Sequence, residues 1–192
     1  MKALLIVDVQ NDFTEGGALG VEGGIAVARS ISSFLREHAA DYGEIIASRD
    51  WHNPTGDNGG HFALDAAPNF VDTWPVHCVA GTTGAEYHPD LDTHFVSIHL
   101  KKGQGKPAYS MFEGLSDSGE TLNEILHGRG IDHVDVVGIA TDYCVRASAL
   151  DALGAGVGVT VLTDMVAAVN PASGQAALAE LVQRGATLQT SS

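Results

Sequence analysis

Short apolar segments alternate along the chain with longer segments of helical periodicity. The apolar run at 3–7 is continuous, which is typical of a strand buried on both faces. Five further strands are predicted, at 45–47, 95–100, 134–139, 157–162 and 186–189. Helices are predicted between them, at 25–42, from Thr121 to Gly128 or Gly130, at 143–153 and at 171–184. This alternation predicts an α/β fold with a mostly parallel six-stranded sheet.

One long segment, from about residue 50 to residue 89, has neither periodicity. It is rich in Gly, Pro, Asn and His and contains both tryptophans of the chain, Trp51 and Trp74. A connection of this length in a compact domain is usually functional. Since ligands of parallel α/β sheets bind beyond the carboxyl ends of the strands, the residues that follow each apolar run are the first candidates for a site.

Three reactive side chains follow three of the predicted strands. Asp8 follows the first, Lys102 the third, and Cys144 lies in a strand, turn and helix start after the fourth. Each alone has an ordinary interpretation, as a turn cap, a solvated lysine or a buried structural cysteine. Together, the carboxylate can take the thiol proton, the ammonium can stabilise the thiolate, and the thiolate can attack a carbonyl carbon.

The turn before Cys144 provides further support for Cys144 as the nucleophile. A helix N-terminus is expected to lower the pKa of a thiol, and backbone N–H groups of the turn can face a developing oxyanion. Lys101 is an alternative to Lys102, but strand alternation places the two side chains on opposite faces. Gly103, which follows Lys102, favours Lys102 as the site residue.

A second group of polar side chains belongs to the long segment. Asp50 and His52 are two residues apart, so in extended backbone they face the same way. His61 and His77 follow along the same segment. Three imidazoles and one carboxylate suit Zn²⁺, Fe²⁺ or Mn²⁺, so a metal site is predicted. The alternative is that these histidines make ordinary loop hydrogen bonds.

Composition restricts the classes of partner. The 192 residues include 24 acidic and 10 basic side chains, a formal charge of −14. This charge argues against nucleic acid and against an anionic membrane surface as partners. No segment has the roughly 20 apolar residues of a membrane span, and no export signal is recognised. We expect a single domain over residues 1–192, in the cytoplasm, as a monomer or small homo-oligomer. The two cysteines exclude a disulfide scaffold.

Residues 103–108 match the outline G-x-G-x-x-A of a dinucleotide fingerprint. A non-catalytic dinucleotide-binding module is therefore an alternative function. Pro107 removes a backbone donor at the point where the fingerprint's helix would begin, so the segment is interpreted as a loop.

Several motifs together resemble the nicotinamidase/pyrazinamidase group of isochorismatase-like cysteine hydrolases. They cover residues 7–13, 48–52, 74–78, 102–103, 108–110 and 138–146, and the last is the most specific. The resemblance runs almost from end to end. It implies a Rossmann-like three-layer sandwich and the deamidation of nicotinamide, a small-molecule amide, to nicotinate and ammonia, with pyrazinamide as a related substrate.

The resemblance also implies residue roles. The catalytic triad falls on Asp8, Lys102 and Cys144, and the oxyanion hole on the backbone N–H groups of Ala140 and Cys144, with a cis peptide before Ala140. Side chains of the substrate pocket are expected at Phe13, Trp74 and Tyr109. The ligands of one divalent metal ion fall on Asp50, His52, His61 and His77.

Two other hydrolase activities remain as alternatives within the same superfamily. One is the hydrolysis of an N-carbamoyl compound and the other that of maleamate, and neither needs the metal residues. An isochorismatase is less favoured, because the resemblance implies that isochorismatases lack the nucleophilic cysteine.

Overall fold

Seven strands form one sheet in the computed structural model of the protein, which describes residues 1–191. In chain order they are β1 (Lys2–Val7), β2 (Glu44–Asp50), β3 (Ile98–Lys102), β4 (Leu115–Ser116), β5 (His133–Ile139), β6 (Gly158–Ala167) and β7 (Thr187–Gln189). Their order across the sheet is β4-β3-β2-β1-β5-β6-β7, and only β3 and β4 pair antiparallel. The predicted, mostly parallel α/β sheet is confirmed.

The seventh strand is the difference from the predicted six. β4 has only two residues and pairs antiparallel with the end of β3. Two residues are too few to show an apolar alternation, so no sequence pattern marks this strand. The third strand also begins later than predicted, at Ile98, because Thr93–Phe95 forms a 3₁₀ turn in which the Asp92 side chain accepts a hydrogen bond from the His94 amide.

Four α-helices cover the two faces of the sheet. They are α1 (Gly24–His38), α2 (Leu122–Gly128), α3 (Arg146–Gly154) and α4 (Pro171–Gln183). Alternate side chains of β1 point to opposite faces of the sheet and pack against different helices. Leu4 and Ile6 pack with buried residues of α1, whereas Leu5 and Val7 pack with residues of the other three helices. The result is the expected three-layer sandwich. Within residues 1–191, no helix combines the length and apolar character that crossing a bilayer requires.

The long segment between β2 and β3 carries 3₁₀ turns and isolated bridges but neither an α-helix nor a sheet strand in the described residues. It lies over the carboxyl ends of the central strands. Phe62 bridges to Trp74, and His52 bridges to Val79, so distant parts of the segment are joined to one another. This arrangement holds the segment beside the strand ends where the predicted site lies.

Close approach of two central strands explains the glycine before the predicted nucleophile turn. Gly138 pairs with Val7 of β1 and has a φ of 117°. A Cβ atom at position 138 would lie 2.6 Å from the Val7 backbone nitrogen and would also overlap the Val7 carbonyl oxygen. Only glycine combines this backbone conformation with this distance between strands.

We therefore expect Gly138→Ala to destabilise the protein by about 3 kcal/mol or more, from backbone strain and overpacking. Urea unfolding measures the change. Gly154→Ala is the matched control, because a Cβ there meets no atom within 4 Å at the end of α3. That variant should be neutral or more stable by up to about 1 kcal/mol. Equal stability of Gly138→Ala and the wild type would contradict the steric explanation.

Candidate active site

The ends of three neighbouring strands bring charged side chains together inside the protein. Asp8 directly follows β1, Asp50 ends β2 and Lys102 ends β3. Lys102 is fully buried, with no exposed side-chain surface. Its Nζ lies 2.9 Å from Asp8 Oδ2 and also contacts Asp50 Oδ1. Cys144 Sγ lies 3.8 Å from the same nitrogen. The lysine ammonium is therefore the centre of the cluster.

Asp50 and Lys102 hold each other in their charged forms. Burial alone would lower the pKa of Lys102, but the charges of Asp50 and Asp8 raise it well above its usual range. Burial alone would raise the pKa of Asp50, but Lys102 and the neighbouring histidines hold it well below its usual range. The pair therefore remains an ammonium and a carboxylate.

Asp8 and Cys144 have shifts that suit exchange of a proton. Burial raises the pKa of Asp8 against the opposing charge of Lys102. Burial also raises the pKa of Cys144 well above its usual range, with Lys102 opposing the rise and the carboxylates of Asp8 and Asp50 adding to it. The expectation of a lowered thiol pKa was wrong, because loss of solvent and two nearby carboxylates outweigh the cation and the helix N-terminus.

The turn that carries Cys144 has an unusual backbone. The peptide bond between Ile139 and Ala140 is cis, as the resemblance implied. Residues Thr141–Val145 then form a π-helical turn before α3, and the amides of Tyr143 and Val145 both donate to the Ala140 carbonyl. This turn places Ala140 and Cys144 on the wall of one cavity.

The cavity has a volume of about 310 Å³ and opens beside the buried charges. Phe13, Trp74 and Tyr109 line it, and the Trp74 indole N–H donates to the Tyr109 hydroxyl at 3.0 Å. The wall also includes residues that sequence reasoning did not identify, among them Phe70 and Val169. These two side chains come from loops without a recognisable motif, so no sequence signal marked them.

A group of three histidines adjoins this cavity, and two of them, His61 and His77, line its wall. His52, His61 and His77 are buried, and their candidate ligand atoms all lie within 4.8 Å of one another. Asp50 Oδ2 lies 3.6 Å from His52 Nε2 and 3.8 Å from His77 Nε2. Ligand atoms of a tetrahedral Zn²⁺ site are roughly 3.3 Å apart, from Zn–N distances of about 2.0–2.1 Å. The four residues therefore stand close to the spacing of a metal site.

Hydrogen bonding of the imidazoles supports the same interpretation. The ring Nδ1 of His52 lies 2.8 Å from the Gly103 carbonyl, and that of His77 lies 2.7 Å from the Pro75 carbonyl. Since a carbonyl only accepts, each Nδ1 carries a proton, and in the neutral imidazole the lone pair is then on Nε2. His52 Nε2 and His61 Nδ1 are buried without a hydrogen-bond partner among residues 1–191.

The protonation state of His61 also suits a ligand. Burial, together with the charges of His77 and His52, lowers its pKa to about 4. His61 is therefore neutral near pH 7, and the neutral imidazole is the form that binds metals. The donor set fits one divalent metal ion.

The surroundings of Lys101 and Gly103, on either side of Lys102, do not support the two alternatives raised for this segment. These were Lys101 as the site lysine and a dinucleotide fingerprint that begins at Gly103. Lys101 points to the surface and pairs with Asp117 at 2.9 Å. A Cβ at Gly103 would lie 2.6 Å from the His52 ring, so this glycine allows the ring to approach. No helix begins within residues 103–108, which weighs against the dinucleotide-binding module.

The fold and the site define an enzyme of the α/β class with a buried thiol, carboxylate and ammonium beside a metal-binding group. The sequence matches the Isochorismatase domain over residues 2–192. The chain therefore belongs to the isochorismatase family.

Within this family, the chain is similar to nicotinamidases and pyrazinamidases. The chain is 50% identical to the nicotinamidase/pyrazinamidase of Mycobacterium tuberculosis over 181 residues, 94% of each chain. It resembles the structure of PnC1 from L. infantum in complex with nicotinate, with a TM-score of 0.84, 34% identity and coverage of 100% and 93%. It also resembles the pyrazinamidase of Pyrococcus horikoshii in complex with zinc, with a TM-score of 0.83, 39% identity and 98% coverage of both chains.

We expect the untagged protein to bind about one equivalent of Zn²⁺, and His77→Ala to weaken that binding by about 100-fold or more. Loss of an outer-shell partner alone costs about 10- to 100-fold, and loss of a direct ligand should cost at least as much. Calorimetric titration with Zn²⁺ and metal analysis of the dialysed protein measure both. His94→Ala, a change of an exposed histidine, should bind as the wild type does. Unchanged Zn²⁺ affinity in His77→Ala would refute the ligand assignment.

Proposed function

We propose that this protein hydrolyses nicotinamide to nicotinate and ammonia, and pyrazinamide in the same way, through a thioester on Cys144. The observation that carries this proposal is the Cys144 thiol, 3.8 Å from the Lys102 ammonium that also pairs with Asp8, on the wall of an aromatic cavity. The similarity to nicotinamidases and pyrazinamidases supports the choice of a pyridine or pyrazine carboxamide.

In the first half of the reaction, the substrate acylates Cys144. Asp8 takes the thiol proton while Sγ bonds to the carboxamide carbon, and Lys102 stabilises the developing thiolate. The backbone N–H groups of Ala140 and Cys144 hold the oxyanion. The carbon–nitrogen bond then breaks, Asp8 returns the proton to the leaving nitrogen, and ammonia departs. The raised pKa of Asp8 suits a group that must both accept and donate this proton.

In the second half, water hydrolyses the thioester. Asp8, now a carboxylate, takes a proton from the water while the oxygen bonds to the acyl carbon. The carbon–sulfur bond breaks, and the proton on Asp8 returns to Cys144. The nicotinic acid formed gives its carboxyl proton to solvent and leaves as nicotinate. Lys102 keeps its charge throughout, because two carboxylates hold its pKa well above its usual range.

Phe13, Trp74 and Tyr109 enclose the aromatic ring of the substrate. Asp50, His52, His61 and His77 would hold one divalent ion, Zn²⁺, Fe²⁺ or Mn²⁺, which would supply a Lewis acid for the ring nitrogen of the substrate. Hydrolases of N-carbamoyl compounds or maleamate would not need these residues, so the buried histidine group favours the heteroaromatic amide.

The remaining expectations belong to the same proposal. We place the reaction in the cytoplasm, in one domain that acts as a monomer or small homo-oligomer on a small-molecule amide. The charge of −14 supports the absence of nucleic-acid and anionic membrane partners.

Cys144→Ala should reduce ammonia release from nicotinamide by about 10⁴-fold or more, since no thioester can form. A coupled ammonia assay measures the rate, and circular dichroism checks the fold. Cys78→Ala is the matched control, because Cys78 is a buried thiol that does not line the cavity. We expect it to keep activity within about tenfold of the wild type. Activity of Cys144→Ala within tenfold of the wild type would exclude Cys144 as the nucleophile.

Lys102→Ala should cost about 10³-fold in kcat, because the thiolate would form beside two carboxylates without a cation. Lys101→Ala is the matched control one residue away. It removes a surface ion pair worth at most about 1 kcal/mol and should leave kcat within about twofold. Steady-state kinetics with nicotinamide compares the two, and equal losses would show that the wrong lysine was assigned.

A further inference from the structure

A buried serine of β2 contacts the carboxylate that follows β1. Ser48 is fully buried, and its hydroxyl donates to Asp8 Oδ1 at 2.6 Å. The Asp8 amide in turn lies 3.4 Å from the Ser48 oxygen and donates to it. Ser48 therefore contacts both the side chain and the backbone of Asp8. It lies within a motif of the sequence analysis, at 48–52, but has no role in the mechanism above.

The two oxygens of Asp8 have different partners because of this contact. Oδ1 is held by Ser48, whereas Oδ2 lies 2.9 Å from Lys102 Nζ. Oδ2 has no hydrogen bond of good geometry to any of residues 1–191. It is therefore the oxygen that is free to exchange a proton. The terminal torsion of an aspartate is broad and roughly two-fold, so the backbone alone does not fix which oxygen faces the lysine.

The backbone of Asp50, the other partner of Lys102, is held by the side chain of Gln10 from the turn after β1. The Gln10 amide group donates to the Asp50 carbonyl at 2.9 Å and accepts from the Asp50 amide at 2.8 Å. Gln10 thus fixes the backbone that carries the Asp50 carboxylate. The Ser48 hydroxyl instead bonds to Asp8, so its loss acts first on how the Asp8 carboxylate faces the ammonium.

We propose that Ser48 is a positioning residue that fixes the Asp8 carboxylate with Oδ2 toward Lys102 and Cys144. The inference rests on the proposed function for its kinetic readout, although the contacts themselves do not. Loss of the hydroxyl leaves a buried carboxylate oxygen without its donor, and the carboxylate can then turn away from the thiol.

The first test is steady-state hydrolysis of nicotinamide by Ser48→Ala and Ser48→Thr. We expect Ser48→Ala to lower kcat by about 10- to 100-fold with KM within about twofold, because proton transfer is impaired and the cavity is unchanged. Ser48→Thr keeps the hydroxyl and should stay within about threefold of the wild type. Ser32→Ala is the matched control, a buried serine whose hydroxyl donates to the Asp90 carbonyl away from the site.

A second test measures alkylation of Cys144 by iodoacetamide, with peptide mass spectrometry to separate it from Cys78. In this step Sγ bonds to the methylene carbon, iodide leaves, and the thiol proton passes through Asp8 to buffer. We expect the rate constant to fall by about tenfold in Ser48→Ala and to be kept in Ser48→Thr and Ser32→Ala.

Three results would overturn the positioning role: kcat of Ser48→Ala within threefold of the wild type, equal loss in Ser48→Thr, or a rise in KM with unchanged kcat. Unchanged alkylation of Cys144 in Ser48→Ala would also overturn it. If the wild type releases no ammonia while the alkylation rates differ as expected, the proposed function fails and the positioning role stands.

Discussion

The buried ammonium of Lys102 is the constraint on which the site and much of the sheet depend. An unpaired charge in the interior costs several kcal/mol, and only close pairing with good geometry offsets that cost. The partners of Lys102 are Asp8 and Asp50, each from a different strand end. The pairing therefore requires β3, β2 and β1 to lie side by side with their carboxyl ends level, which is the order that the sheet has.

The two carboxylates that pair with this cation have pKa values shifted in opposite directions. Asp50, which also faces the histidines, has a pKa well below its usual range, whereas burial raises that of Asp8. Lys102 lowers the pKa of both carboxylates, but the histidines add to this effect at Asp50, whereas burial outweighs it at Asp8. Two carboxylates with pKa values moved in opposite directions are what a site needs to separate binding from proton transfer.

The strand ends could be predicted from the sequence because continuous apolar runs end where reactive side chains begin, as at Asp8 and Lys102. Other features depend on tertiary structure. The pKa of Cys144 could not be predicted from its position before a helix, because it depends on burial and on carboxylates from other strands. Phe70 and Val169 reach the cavity from loops whose course no local pattern specifies. The two residues of β4 are too few to show periodicity.

The long segment after β2 supplies three imidazoles and Trp74, so it must be held as firmly as the sheet. The turn after β1 provides the attachment. Gln10 donates to the Ala85 carbonyl at 2.9 Å, and Asp12 accepts from the Cys78 amide at 2.7 Å, directly beside His77. Because Gln10 also holds the backbone of Asp50, a single turn joins the histidine segment, Asp50 and Asp8. The long segment is therefore held in place by the turn that directly follows Asp8.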